Sequence, residues 1–273
     1  MTSGFTRRLT GFSGHALAIL AGIGFMALEH APSAYIAVNG MALVAALALL
    51  LLTPATAGQR HAGAIGIAAL AVLGASLLGP DSDGVHRWIA LGPLRLNSAM
   101  LALPALSIAA VLAQPRVGAL LVAIAALVIA FQPDRAAALA LLCGATPLLG
   151  RAPRWPGVAA CLAAAIALTI CWLRPDALAP VPFVEGVLQA AWIAHPVAGA
   201  AITAGLCAAL LVPLRLAGSR PAALALGGTL VGFTLSSLFG AFPTPLAGYG
   251  ASAILGYAAA FALLPLNGRA EVS

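Results

Sequence analysis

Three short segments hold most of the reactive chemistry in this chain. The stretch 84–98, "GVHRWIALGPLRLNS", gathers His86, Arg87, Trp88, Arg95 and Asn97 into one interval of an otherwise apolar sequence. A guanidinium such as that of Arg87 suits a phosphate, which it meets with parallel N–H donors. Trp88 offers a face for stacking on a sugar or, equally, an anchor at a membrane boundary, and an Arg-Trp pair by itself reads as such an anchor. Gly92-Pro93 supplies a turn. The second segment, "FQPDRA", sets Asp134 directly after a proline at the start of an apolar run, an ordinary N-cap position. The third, "RPDALAPVPFVEG", has three prolines that stiffen an extended loop and deliver Glu185 to the next apolar run. There the carboxylate is either reactive or simply favourable at a helix N-terminus. His195, followed by Pro196, lies within an apolar run and reads as a hydrogen-bonded packing residue.

These side chains must be positioned by membrane helices. Of 273 residues 62% are hydrophobic and 7% charged, against about 25% charged in soluble domains. Mean hydropathy is +1.06. Apolar runs of about 16 to 21 residues recur along the chain, near the length that crosses a hydrocarbon core of about 30 Å. Pro, Gly and charged punctuation divides them into ten spans: 13–30, 34–53, 62–79, 99–114, 117–132, 134–150, 156–173, 186–212, 221–240 and 249–266. The expected architecture is all-α, a polytopic helix bundle forming one membrane domain over 1–273. The first run follows Arg7 and Arg8 without a small-residue cleavage site, so it is expected to remain as a helix.

All thirteen basic residues are Arg. With a cytoplasmic N-terminus, Arg7, Arg8, Arg60, Arg116, Arg151, Arg154, Arg215, Arg220 and Arg269 fall inside, nine of thirteen, and both termini are cytoplasmic. Arg87, Arg95, Arg135 and Arg174 fall outside with every acid except Glu271. The net charge of +6 is therefore a topology signal and no argument for nucleic acid. Cys143, Cys161, Cys171 and Cys207 lie in or beside apolar runs without metal-ligand spacing, and no cofactor is legible. The ionisable groups fall near span ends or in loops, which argues against a proton relay through the bilayer. Small residues at close spacing, as in "ALGGTLVGF", predict tight helix packing. No tandem repeat is evident, which gives no support to an inverted-repeat transporter.

In order along the chain, the segments resemble motifs of the SEDS family (shape, elongation, division and sporulation), membrane glycosyltransferases that polymerise peptidoglycan from lipid II. Gly84, Arg87, Trp88, Ile89, Leu91, Gly92 and Pro93 match its "GaRRWIxLGP" loop, and Gln132, Pro133 and Asp134 match the start of "QPDxGTA". "PTPLAGYGAS", at 243–252, resembles "PLPFxSYGGS" through Pro243, Pro245, Tyr249, Gly250 and Ser252. An ungapped match to "HTDFIFAVLAEELGxIG" ending at Gly199 puts Glu185 on the family's catalytic Asp and Phe183 on its His. Other positions depart. Where the family reads "QPSExxK" this chain has Asn97, Ser98, Ala99, Met100 and Leu103, so the Glu and the Lys are absent, and the two later Glu are Ile193 and Ala194.

The resemblance implies a short, divergent member of the bacterial inner membrane, with Glu185 as catalytic carboxylate and Arg87, Trp88, Gln132, Asp134, Tyr249 and Ser252 as substrate-binding residues. It implies lipid II among membrane lipids as the ligand, and a single-pass transpeptidase or another membrane-complex subunit as the partner. The competing reading is a catalytically degenerate relative serving as a structural or regulatory subunit, which the missing Glu and Lys favour. A lipid or solute transporter is the third.

Overall fold

The computed structural model describes residues 2–54, 57–80, 84–92, 94–174 and 178–266, with side chains from Thr6 onward. Helices α1 (Thr2–Leu28) and α2 (Ser33–Leu52) are followed by the single turn α3 (Ala57–Arg60) and by α4 (Ala62–Ala75), extended by a 3-10 turn Ser76–Leu78. Strands β1 (Trp88–Leu91) and β2 (Leu94–Asn97) lead into α5 (Ser98–Leu112), α6 (Pro115–Phe131) and α7 (Arg135–Ala145), the last continued by a 3-10 turn Thr146–Gly150. Then come α8 (Arg154–Leu173), short α9 (Val187–Ala194), α10 (Pro196–Leu216), α11 (Arg220–Phe239) and α12 (Ala251–Leu263).

Five of these, α1, α2, α8, α10 and α11, are long and apolar enough to cross a membrane. Five shorter apolar helices, Ala62–Leu78, Ser98–Leu112, Pro115–Phe131, Arg135–Gly150 and Ala251–Leu263, fill the remaining expected spans. The all-α polytopic bundle is as the sequence predicts. Exposed apolar residues such as Val44, Ile67 and Leu162 line its outside, as lipid contact requires.

At the centre stands α5, buried from Ser98 to Val111 except at half-buried Leu101, because nearly all its residues are apolar. It packs on α4, α12 and α11. The pairing of α1 with α10 is the most extensive in the bundle and depends on glycine: a methyl on Gly14 would overlap the backbone of Ala208 and Ala209, and one on Gly205 the backbone of Ala18. Arg8 is buried at the end of the bundle that carries both termini. Its guanidinium donates to the carbonyl oxygens of Leu50 at 2.7 Å, Thr53, and Ala262 at 3.3 Å, joining α1 to the last turns of α2 and α12.

Three features differ from the sequence reading. The 84–98 stretch is a β-hairpin, with Trp88 opposite Asn97 and Leu91 opposite Leu94, turned by Gly92 at φ +60°. The span 186–212 is two helices, because Pro196 removes a backbone donor and keeps His195 out of helical geometry, at φ −141° and ψ 85°. His195 then sits half-exposed, its Nε2 2.9 Å from Oε1 of Glu29, just past the end of α1. Third, one ionisable side chain does lie midway along a spanning helix: His15 of α1 is buried, stacked on Phe12 with ring centroids 5.0 Å apart and flanked by Tyr257 and Phe261.

Candidate functional site

Opposite the end carrying the termini, the hairpin, the 178–186 loop and the 240–250 loop converge on a cavity of about 330 Å³. Arg87, Trp88, Arg95 and Asn97 line it from the hairpin, Glu185 from the second loop, and Tyr249 and Ser252 from the third. The cavity therefore joins segments separated by more than a hundred residues of sequence.

Each wall is held by backbone bonds that cross between segments. The N–H of Asn97 donates to the Ser252 hydroxyl at 2.8 Å, so Ser252 fixes the end of the hairpin, and the Asn97 side chain caps α5 by accepting from the Met100 N–H at 2.9 Å. Thr244 N–H donates to the Val184 carbonyl at 3.0 Å, Tyr249 N–H to the Phe183 carbonyl at 2.6 Å, and Val187 N–H to the Thr244 hydroxyl at 3.2 Å. Phe183 and Gly186 are left-handed, at φ +64° and +65°. A left-handed Phe is costly and persists only where the surroundings over-determine it, as these bonds do. Together they aim Glu185 at the cavity.

Glu185 is half-buried, and its Oε2 accepts from the Val181 N–H at 2.6 Å. Burial pushes its carboxyl above the ordinary range, against the opposing effects of the Val181 and Glu185 N–H groups and of the Arg87 charge. Arg87 is buried, with Nε 3.4 Å from Asp134 Oδ2 and its guanidinium 5.2 Å from the centroid of the Phe242 ring. An arginine held this way on one wall and a carboxylate on another can bind an anion and take up a proton.

Not every predicted site residue reaches the cavity. Asp134 is the N-cap of α7, accepting from Ala137 N–H at 3.0 Å, and also the ion-pair partner of Arg87, so it stands behind the wall. Gln132 is fully buried and donates to the Leu73 carbonyl at 2.8 Å and the Ser76 hydroxyl at 2.6 Å, which ties the end of α6 to α4. Tyr249 stacks on Tyr35 with centroids 3.7 Å apart. Pro93, Asp81, Asp83, Asp176, Arg269 and Glu271 lie outside the described residues. At the divergent positions, Met100 lines the cavity and Leu103 is fully buried in the core.

Sequence reasoning missed Asn39. It is fully buried in α2, donates to the Gly248 carbonyl and accepts from the Gly250 N–H, both at 3.0 Å, and so pins the loop that carries Tyr249. Its signal was present: a lone amide in the apolar run "YIAVNGMALV" demands a polar partner in the membrane.

A membrane bundle with this order and packing of helices has the fold of a SEDS protein. By structure the chain is similar to the rod shape determining protein RodA of Thermus thermophilus, with TM-score 0.67 at 17% identity over 93% of this chain and 94% of that one. A variant of RodA with one aspartate replaced by alanine gives TM-score 0.67 at 18% identity, covering 93% and 95%. A chain from a peptidoglycan synthase complex, described as coordinating polymerisation and crosslinking, gives TM-score 0.63 at 19% identity, covering 92% and 95%. No family sequence model matches the chain, and no curated protein matches it by sequence.

Proposed function

We propose that this protein is a glycosyltransferase of the bacterial inner membrane that acts in building the cell envelope and takes a lipid-linked sugar pyrophosphate such as lipid II. The observation that carries the reading is the pairing, in one cavity, of Glu185 on one wall with Arg87 on the other. In the reaction, Glu185 takes the proton of an acceptor sugar hydroxyl and the oxygen attacks the anomeric carbon of the donor. The bond from that carbon to the pyrophosphate oxygen breaks, and the lipid pyrophosphate leaves with the electron pair, its charge met by Arg87. Trp88 and Tyr249 offer aromatic faces to the sugars, and Ser252 and Asn97 hold the wall they line. The resemblance to a chain of a synthase complex supports work alongside a crosslinking partner in the membrane.

A second reading, substrate binding without turnover in a structural or regulatory subunit, is favoured by one observation. The position that carries a Glu in the SEDS motif is Met100 here, so the cavity gains no second carboxylate from α5. Labelled lipid II given to the purified protein, alone and with a candidate transpeptidase, separates the two. The glycosyltransferase reading expects polymer from the parent and from Glu185→Asp, and a loss of about 100-fold to 10,000-fold in Glu185→Gln. Polymer undiminished in Glu185→Gln removes Glu185 from the chemistry. Lipid II bound by all three proteins with no polymer from any establishes the second reading.

A further inference from the structure

Helices α6 and α8 pack side by side and run in the same direction, so their first turns lie together at the end of the bundle that carries the termini. Two glycines press these turns inward. A methyl on Gly118 would overlap the Ala110 carbonyl of α5, and one on Gly157 the Leu148 carbonyl of the 3-10 turn. Arg151, in the loop before α8, donates to the carbonyl oxygens of Val111, and of Ala113 at 2.6 Å, which ties that loop to the end of α5. On this fixed base the Arg116 guanidinium of α6 lies over the Trp155 ring of α8, 5.8 Å from its centroid, and Arg154 is the residue before that Trp. Among the described residues neither Arg116 nor Arg154 donates a hydrogen bond or meets a carboxylate, whereas Arg8, Arg135, Arg151 and Arg174 all direct theirs to carbonyl oxygens. Glu29, Asp134 and Glu185, the acids among the described residues, all lie toward the opposite end.

Depth and charge together say what meets these arginines. Trp155 is 59% exposed at the first turn of a spanning helix, the depth at which an indole marks a membrane boundary. One to two turns further along, Leu120 of α6 and Leu162 of α8 are exposed too, so the surface turns apolar directly behind the cations. A guanidinium held over a ring keeps its in-plane N–H edge available, and that edge fits a phosphate with parallel donors. A soluble anion would answer the arginines and leave the apolar surface bare. A molecule with a phosphate head and apolar chains complements both.

We infer that the first turns of α6 and α8 form a binding site for an acidic phospholipid of the leaflet at this end, its phosphate on Arg116 and Arg154 and its acyl chains along Leu120 and Leu162. The site is remote from the Glu185 cavity and stands whether or not the chain makes polymer. The probe is phosphatidylglycerol with a photoactivatable group high on one acyl chain, placed with the full chain in phosphatidylcholine nanodiscs, and crosslinked peptides are mapped by mass spectrometry. Labelling of residues 116–124 and 154–162 is expected to exceed about tenfold that from the same photoprobe built on phosphatidylcholine. Joint replacement Arg116→Gln and Arg154→Gln is expected to abolish this excess. Joint replacement Arg60→Gln and Arg220→Gln removes the same charge from exposed positions at the same end and is expected to keep it. Equal labelling of the parent by the two probes overturns the proposal and needs no variant to fold. An excess that survives loss of Arg116 and Arg154 overturns it as well, as does an equal fall in both double variants, which marks a diffuse field of charge. Displacement of the probe by soluble polyglutamate as complete as by unlabelled phosphatidylglycerol makes the surface one for an acidic protein and equally overturns the lipid site.

Discussion

At the scale of single residues, Glu185 and Asp134 show how one side-chain type takes different work from its surroundings. Burial raises the Glu185 carboxyl because the charged form is the one that burial disfavours. A general base works in the charged form, so on acidification activity falls from a higher pH than an ordinary carboxylate of about 4.3 would give. A pH profile of polymer formation checks this: the acid limb lies above the usual carboxylate range, and a limb at or below that range overturns Glu185 as the titrating base. Asp134 has two tasks, capping α7 and pairing with Arg87. Asp134→Asn keeps the cap and removes the charge, whereas Asp134→Ala removes both. Thermal unfolding in detergent is expected to place the Ala variant below the Asn variant by about 1 kcal/mol, the usual worth of an N-cap. Equal stability of the two variants sinks the capping role.

At the scale of elements, the cavity is as firm as the bonds between its loops. Asn39 on α2 satisfies both the Gly248 carbonyl and the Gly250 N–H with one fully buried amide. Asn39→Leu keeps the branching at Cγ and leaves both unsatisfied, a cost of about 1 to 3 kcal/mol. The expected outcome is a lower unfolding temperature together with faster proteolysis within 240–250. An unchanged cleavage rate there contradicts the pinning role. The hairpin depends on its turn in the same way: Gly92 at φ +60° adopts a conformation that an L side chain takes at a cost, which is why the tip carries glycine.

At the scale of the whole molecule, the Arg side chains segregate between the two ends of the bundle. Arg60, Arg116, Arg151, Arg154, Arg215 and Arg220 lie at the end carrying the termini, and Arg87, Arg95, Arg135 and Arg174 at the other. Reporter fusions at Arg60, Arg151 and Ser219 are expected to read cytoplasmic, and fusions near Asp83 and Asp176 external. An external reading at Arg151 breaks the topology. Arg8, near the start of α1, does structural work of its own. It donates to three carbonyl oxygens at the ends of two other helices, so Arg8→Met is expected to loosen that end of the bundle by more than an exposed arginine does, read as earlier thermal unfolding relative to Arg60→Met.

The sequence by itself determined the class of architecture, because a chain with 62% hydrophobic residues and spans of membrane length has no soluble way to bury them. It also determined which segments face outward together, since alternating spans send every second loop to the same side. Arg87, Trp88, Glu185, Tyr249 and Ser252 stood out through their motifs, and all of them line one cavity. Only the tertiary structure decided that Gln132 ties α6 to α4, that Asp134 acts from behind the wall, that Asn39 holds the third loop, and that Arg116 of α6 lies over Trp155 of α8. The reason is physical. Hydropathy and charge act on each segment separately and are written along the chain, whereas a buried polar group takes its role from a partner that packing brings to it from dozens or hundreds of residues away.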